Sequence, residues 1–399
     1  MPIQSFLDDV ATNLAYWQGV AGCVGDREFG RLDHEWHNLF RAAQVGLAFP
    51  PTRPAAIELT LQLFGFVERR GYWQEWIFTL EQCLANCSNE QPAKFYLLNR
   101  LGQLYRLNRQ LAAAITTHEA AAIIAQSRND HLALSQAYFN LSEDYRLDRQ
   151  LTQAETYGLS ALEGFISQGE ARWKAATLNT LGVIAQWQGK LALAEERLRE
   201  AVAGWREANQ PTELARALGN LAATLRAAGE MDAARQSYLE AAGVLAPTSS
   251  ELDKVMVEIS LGGLYFDLGQ WSEAEAAFRR ANSPYLKQSS HVYYQAMVAH
   301  GFGHVRLRQG RNEEAEAYLR ASVSLWRKAD DQVMLANTLG TLAETLAARQ
   351  DIDEATALYD EALACLINYT EDTLARRLWG DFSAQREAIL ARNRASMGE

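Results

Sequence analysis

LGQLYRLNRQLAAAITTHEAA, residues 101–121, sets the period of the whole chain. Its Leu101, Gly102, Tyr105, Ala114 and Ala121 fall at spacings that return six more times. Advancing forty residues at a time, Leu101-Gly102 becomes Leu141-Ser142, Leu181-Gly182, Leu221-Ala222 and Leu261-Gly262. After a one-residue insertion the pair is Phe302-Gly303, then Leu342-Ala343. Twelve residues after each small residue stands an alanine: Ala114, Ala154, Ala194, Ala234, Ala274, Ala315 and Ala355. Seven matches in seven units exceed what composition gives, even in an Ala-rich chain. Such a period marks stacked supersecondary units, each touching only its neighbours.

Leu-Gly-x2-Tyr followed by Ala-x3 and an aromatic residue or Leu resembles the tetratricopeptide repeat, a helix-turn-helix unit. The resemblance implies a role for each position. The small residue lets the first helix approach its neighbour, and the alanine of the second helix receives that approach. The large residue four later (Leu198, Tyr238, Phe278, Leu319, Tyr359) fills the space between repeats. His118 and Gly158 depart from this rule, so the first two regular units are expected to pack differently. The usual unit has about 34 residues and a closing proline; here the spacing is 40 and that proline is missing. Six extra residues lengthen the two helices by roughly 4 to 5 Å each at ~1.5 Å per residue. This is similar to the long-helix subclass found in spindle-orientation adaptors and in the sensor regions of bacterial STAND-type regulators.

The expected fold is therefore all-α, a right-handed superhelix of about eight helix-turn-helix units. Residues 1–54 form an N-terminal helical adaptor, 55–370 the solenoid, and 371–399 a capping helix and tail. Within the solenoid, 55–88 is a degenerate unit and 93–369 holds seven regular ones. At 399 residues, length alone would suggest two or three domains, but a repeat array grows in one dimension. Hydrophobic content of 48% is ample for a continuous core, and no run approaches the roughly 18 apolar residues of a membrane span. The start, MPIQSFLDDV, lacks a basic region followed by an apolar one, so the expected compartment is the cytoplasm. Cys23, Cys83, Cys87 and Cys365 are too few and scattered for a disulfide framework. Cys83 and Cys87, four apart on an expected helix, read as buried structural thiols. A net charge of -11 argues against nonspecific nucleic-acid binding, which rests on Lys and Arg neutralising phosphates.

Taken in order, helices are expected at about 4–19 and 33–48, with Asp33 the N-cap of the second. Phe49-Pro50-Pro51-Thr52-Arg53-Pro54 then breaks the chain. In the degenerate unit, Phe64 and Trp76 stand where regular units carry small residues, so its geometry should deviate. Residues 36–43 and 69–75 also resemble the segment that joins the ATPase module to the repeats in STAND-type regulators, although G-x-x-x-x-G-K-[ST] is absent. The regular units run approximately 93–129, 131–169, 171–209, 211–246, 251–282, 291–329 and 331–369. Glycine in four of their seven internal turns (Gly189, Gly229, Gly269, Gly310) suits a left-handed helix C-terminus. Pro247 and Ser283-Pro284 are where the superhelix is expected to change direction. Residues 371–393 form an amphipathic helix, with Leu374, Leu378, Phe382 and Ile389 on one face.

Catalytic motifs are missing: no G-x-S-x-G elbow, no phosphate loop and no H-E-x-x-H. His300 and His304, four apart, share one side of a helix, yet two histidines make half of a tetrahedral metal site. No cofactor and no metal is expected. The repeat resemblance implies that three first-helix positions per unit line a concave groove. Unit by unit these are Asn99, Gln103 and Arg106; Phe139, Glu143 and Arg146; Asn179, Val183 and Gln186; and Arg226 with Gly219 and Ala223. Ile259 and Phe266, then His300 and His304, continue the series. Arginine offers a planar fork suited to carboxylates, and Asn or Gln can pair with an extended backbone. One reading is a noncatalytic scaffold for a protein or peptide, its ligand an acidic peptide or tail. In the other, Arg106 and Arg146 pair with Glu143 and Asp144 and stabilise the array. Two further readings are the ligand-sensing arm of a STAND-type regulator, with an ATPase or DNA-binding partner in trans, and a helical metal enzyme using His300 and His304. Neither nucleic acid nor membrane is an expected partner.

Overall fold

The computed structural model describes residues 2–23, 30–88, 92–289 and 291–397. Every regular element in them is a helix. The chain opens with α1 (Pro2–Cys23), α2 (Gly30–His34), α3 (Trp36–Ala48), α4 (Arg53–Gln62), α5 (Phe64–Arg70) and α6 (Trp73–Ala85). Four helix pairs follow: α7 (Ala93–Leu107) with α8 (Leu111–Ser127), α9 (His131–Leu147) with α10 (Leu151–Ser167), α11 (Ala171–Trp187) with α12 (Leu191–Glu207), and α13 (Pro211–Ala227) with α14 (Met231–Leu245). Then come α15 (Glu251–Asp267) with α16 (Trp271–Ala281), the short α17 (Pro284–Gln288), α18 (Val292–Arg308) with α19 (Asn312–Ala329), α20 (Gln332–Ala348) with α21 (Ile352–Leu366), and α22 (Thr373–Met397). Seven helix pairs lie between Ala93 and Leu366, with first helices mostly 17 residues long, about 25 Å at ~1.5 Å per residue. The chain forms two compact units, Met1–Asp148 with Thr156–Gln168, and Arg149–Glu155 with Gly169–Glu399. No helix of the described residues is long and apolar enough to cross a membrane.

Close approach at the small residue of each first helix decides how a pair packs. A Cβ on Gly182 would lie 2.5 Å from Leu198 Cγ, one on Gly262 2.6 Å from Phe278, and one on Gly303 2.6 Å from Leu319 Cγ. The side chain four residues after the repeated alanine therefore occupies the glycine's empty Cβ position, and at Gly303 the Ala315 carbonyl adjoins it at 3.3 Å. Phe278 lies equally close to Gly301 of the following pair, so one ring locks two repeats together. His118 fills the same slot against Gly102, its ring 2.5–2.7 Å from the missing Cβ. In the next pair the sizes change: Ser142 replaces glycine, Gly158 replaces the large residue, and both are buried. The repeated alanines are fully enclosed.

Turn chemistry follows the sequence in part. Gly189, Gly229, Gly269 and Gly310 take left-handed φ values of 81°, 87°, 70° and 73°. The three turns without glycine use the same conformation at Arg109, Arg149 and Gln350. A left-handed non-glycine residue costs roughly 1 kcal/mol, which the packing of the flanking helices can carry. Asp130 and Asp331 cap α9 and α20 by accepting from the N–H groups of Ala133 and Met334. At Ser283-Pro284 the chain adds α17, with Ser283 Oγ accepting from the Leu286 N–H at 3.3 Å.

The N-terminal segment departs from the reading in three places. α1 runs to Cys23, beyond the expected end at 19. Asp33 lies inside α2 and pairs with Arg70 at 2.7 Å, so it is no N-cap: α3 begins after Glu35, without a side-chain cap. The first helix of the degenerate unit breaks at Leu63, which ends α4 and starts α5. This break is how the unit accommodates Phe64 and Trp76, both buried. Trp36 stacks on Tyr72 at 4.0 Å and meets Trp76 at 5.4 Å, forming an aromatic core in place of small-residue contacts. Cys83 and Cys87 are buried thiols, and burial pushes Cys83 up to about 12. At the other end α22 lays Leu378 and Phe382 against α20 and α21. Phe382 presses on the backbone of Gly340, and Tyr359 Oη donates to Gln385 at 2.8 Å.

Two glycine substitutions should move stability in opposite directions. Gly182→Ala puts a methyl 2.5 Å from Leu198 Cγ and should lower stability by about 1–3 kcal/mol, the usual cost of overpacking. Gly219→Ala, inside α13 with nothing within 4 Å, should raise it by about 0.5–1 kcal/mol. Urea denaturation midpoints measure both, and effects of the same sign would contradict the packing account.

Candidate functional site

First helices of successive pairs pack on one another within each unit: α7 on α9 in the first, and α11, α13, α15, α18 and α20 in series in the second. Their shared side is called the inner face below. Of the expected groove residues, Asn99, Arg106, Asn179, Arg226, Phe266 and His300 each meet a residue of the next first helix. In the first unit Asn140 Nδ2 donates to Asn99 Oδ1 at 2.7 Å, and Arg106 Nη2 donates to Asn140 Oδ1 at 3.2 Å. Arg106 Nη1 also reaches Asp144 Oδ1 at 3.1 Å. The other oxygen of Asp144 faces His118 Nδ1 at 2.5 Å, and His118 Nε2 faces the Asn99 carbonyl at 3.2 Å. Asp144, His118 and Asn140 are enclosed. The chain thus satisfies a buried carboxylate with a guanidinium and an imidazole, the arrangement such a group requires.

Arg146 forms a two-point contact with Glu143 one turn back, the shorter arm 2.7 Å. Gln103 accepts from Arg100 at 3.0 Å, and Phe139 is half-buried. In the second unit Asn220 Nδ2 donates to Asn179 Oδ1 at 3.0 Å. Arg226 Nε donates to Asp267 at 2.5 Å, and its guanidinium lies over Gly263. Gln186 is half-buried. Arg106, Arg146 and Arg226 therefore each face a carboxylate of this chain.

Phe266, His300 and His304 come together as a cluster. The Phe266 and His304 rings are 4.1 Å apart, the two imidazoles 5.4 Å apart, and His300 Nδ1 meets Thr338 Oγ1 at 3.1 Å. Trp271 extends the surface, 5.1 Å from Phe266. All three are half-buried. Desolvation lowers His300 to about 4; it lowers His304 to about 3, helped by His300 and Arg308. Among the described residues no group of three or more His, Cys, Asp and Glu could hold a metal ion. The cluster therefore offers aromatic faces and neutral hydrogen-bonding nitrogens.

Sequence reasoning missed Asn140, Asn220 and Thr338 as partners. A signal for the first two existed: in five of the seven units the residue before the Leu-small pair is Asn140, Thr180, Asn220, Ser260 or Thr341, with Arg100 and Gly301 standing there in the other two. A small polar residue kept at one first-helix position marks the seam between first helices.

Two outcomes follow. Asp144→Ala leaves Arg106 and His118 facing an empty site and should cost about 3–5 kcal/mol, whereas Arg146→Gln should cost under about 1 kcal/mol; thermal denaturation ranks them, and the reverse order would refute the assignment. The histidines give a pH effect. As pH falls through 6.5 the unfolded chain takes up protons that folded His300 and His304 take up only near 4 and 3. Unfolding is thus favoured on acidification from about 6.5 towards 4. Replacing both by Gln should flatten the Tm–pH curve there; an unchanged slope would contradict their desolvation.

The tetratricopeptide-repeat family model matches residues 173–245 and 294–368. No curated protein matches the sequence. Among solved structures the chain is similar to aspartyl phosphate phosphatase F from Bacillus subtilis, at TM-score 0.59 and 14% identity over 86% of this chain and 95% of that one. It is similar to the apo quorum sensor NprR from B. thuringiensis, at TM-score 0.58 and 17% identity over 90% and 99%. A Rap protein complexed with competence and sporulation factor matches at TM-score 0.56 and 15% identity over 96% and 99%. At these identities the likeness is one of fold. The family model thus identifies tetratricopeptide repeats at residues 173–245 and 294–368, and the solved structures share the all-helical fold.

Proposed function

We propose that the chain is a noncatalytic scaffold that binds a peptide or protein segment on the inner face of its repeats. The carrying observation is the contrast on that face: its arginines are held by neighbouring carboxylates, whereas Phe266, His300 and His304 present half-buried ring surface. Such a surface takes an apolar or aromatic side chain, while Asn179, Gln186 and Asn220 can exchange hydrogen bonds with a ligand backbone. Similar folds described as a quorum sensor and as a Rap protein complexed with a factor support binding. A catalytic reading draws on the name of aspartyl phosphate phosphatase F at 14% identity.

The acidic character of the ligand is the narrower part of the proposal and falls on Arg146. Arg106 and Arg226 hold Asp144 and Asp267, so a ligand carboxylate would compete with Glu143, the neighbour one turn away. Glu143→Gln should then tighten an acidic ligand and Arg146→Gln weaken it.

A displayed random-peptide library provides the probe. Peptides selected on the full chain should bind Phe266→Ala at least about tenfold more weakly, a loss of about 1.4 kcal/mol. No enrichment, or equal binding to that variant, would sink the proposal.

A further inference from the structure

Between α21 and α22, Glu371, Asp372 and Thr373 meet residues 186 to 223 positions earlier. Asp372 caps α22 with Oδ1, which accepts from the Ala375 N–H at 2.9 Å, while its Oδ2 accepts from Arg149 Nη1. Asp331 repeats the arrangement at α20: Oδ1 accepts from the Met334 N–H at 3.1 Å, and Oδ2 lies 3.8 Å from Arg149 Nη2. One arginine thus sits between the second oxygens of two helix N-caps. Its guanidinium also lies 4.1 Å from the Trp187 ring centroid. The Arg149 side chain is 9% exposed and that of Asp372 1%, so this pair is shielded from water.

The flanking residues follow the same logic. Glu371 accepts from the Thr152 N–H at 3.0 Å and from Thr152 Oγ1 at 3.1 Å. Its carboxylate lies at the start of α10, where first-turn N–H groups lack intrahelical acceptors and the helix dipole favours an anion. Thr373 Oγ1 donates to the Trp187 carbonyl at 2.7 Å, at the end of α11, where carbonyls lack intrahelical donors. Glu371 and Thr373 therefore serve the ends of α10 and α11, while Asp372 holds Arg149 in the turn between α9 and α10, all within the second unit. A stack in which each repeat touches only its neighbours requires no such contact.

We propose that Glu371–Thr373 is a latch: it closes the second unit on itself through Arg149, and its opening lets that unit expand. A buried arginine with carboxylates is stable when paired and costly when half-paired, so the closed cluster and a separated, hydrated one are the two favourable states. The latch stands on these contacts and is independent of what binds inside.

Small-angle scattering and hydrogen exchange on the full chain test it. Arg149→Met should raise the radius of gyration and speed exchange of the Thr152 amide at least about tenfold, equivalent to about 1.4 kcal/mol, with helicity unchanged by circular dichroism. A wild-type radius with wild-type exchange overturns the latch. So does a lowered Tm with a wild-type radius, which marks a purely structural contact. If Arg149→Met does not fold, Glu371→Gln, at an exposed side chain, decides: faster Thr152 exchange with a larger radius supports the latch, and unchanged values overturn it.

Discussion

Everything in this chain depends on how closely the two helices of a repeat can approach. Where Gly182, Gly262 or Gly303 stands, a large side chain of the second helix occupies the space of the missing Cβ. That contact brings successive first helices together as well, since Phe278 presses on Gly262 and Gly301 alike. Once first helices are neighbours, their polar side chains meet at a regular offset. Asn99 meets Asn140, Arg106 meets Asp144, Asn179 meets Asn220, Arg226 meets Asp267 and His300 meets Thr338, each pair 38 to 41 residues apart. The apolar period and the polar seam are two consequences of one packing constraint.

The seam limits what the inner face can recognise. A guanidinium already facing a carboxylate offers a ligand little unless the ligand displaces that partner, and displacement leaves a charge behind. Recognition by shape and ring surface carries no such penalty, which turns attention from the arginines to Phe266, His300 and His304. Their neutrality at pH 7 follows from desolvation and fits a site for uncharged side chains.

Much of this was legible in the sequence. The period located seven helix pairs, and four turn glycines located their left-handed caps. Arg109, Arg149 and Gln350 were illegible as left-handed residues because the strain is small beside the packing that imposes it. Asp33 resembled an N-cap by position, yet a pairing with Arg70, 37 residues away, claims its carboxylate. Which of two readings held for Arg106 turned on the neighbour's register: Asp144 and Glu143 are adjacent in sequence but point to different arginines. The Arg149–Asp372 pair spans 223 positions and obeys no period, so nothing in the repeat pattern announces it.

In the proposed division of labour the first helices recognise and the second helices support. Hydrogen exchange of the chain with and without a library-selected peptide tests it most directly. Slowed exchange should concentrate in Glu251–Asp267 and Val292–Arg308, the helices that carry Phe266, His300 and His304. Protection confined to Trp271–Ala281 and Asn312–Ala329, their second-helix partners, would contradict it.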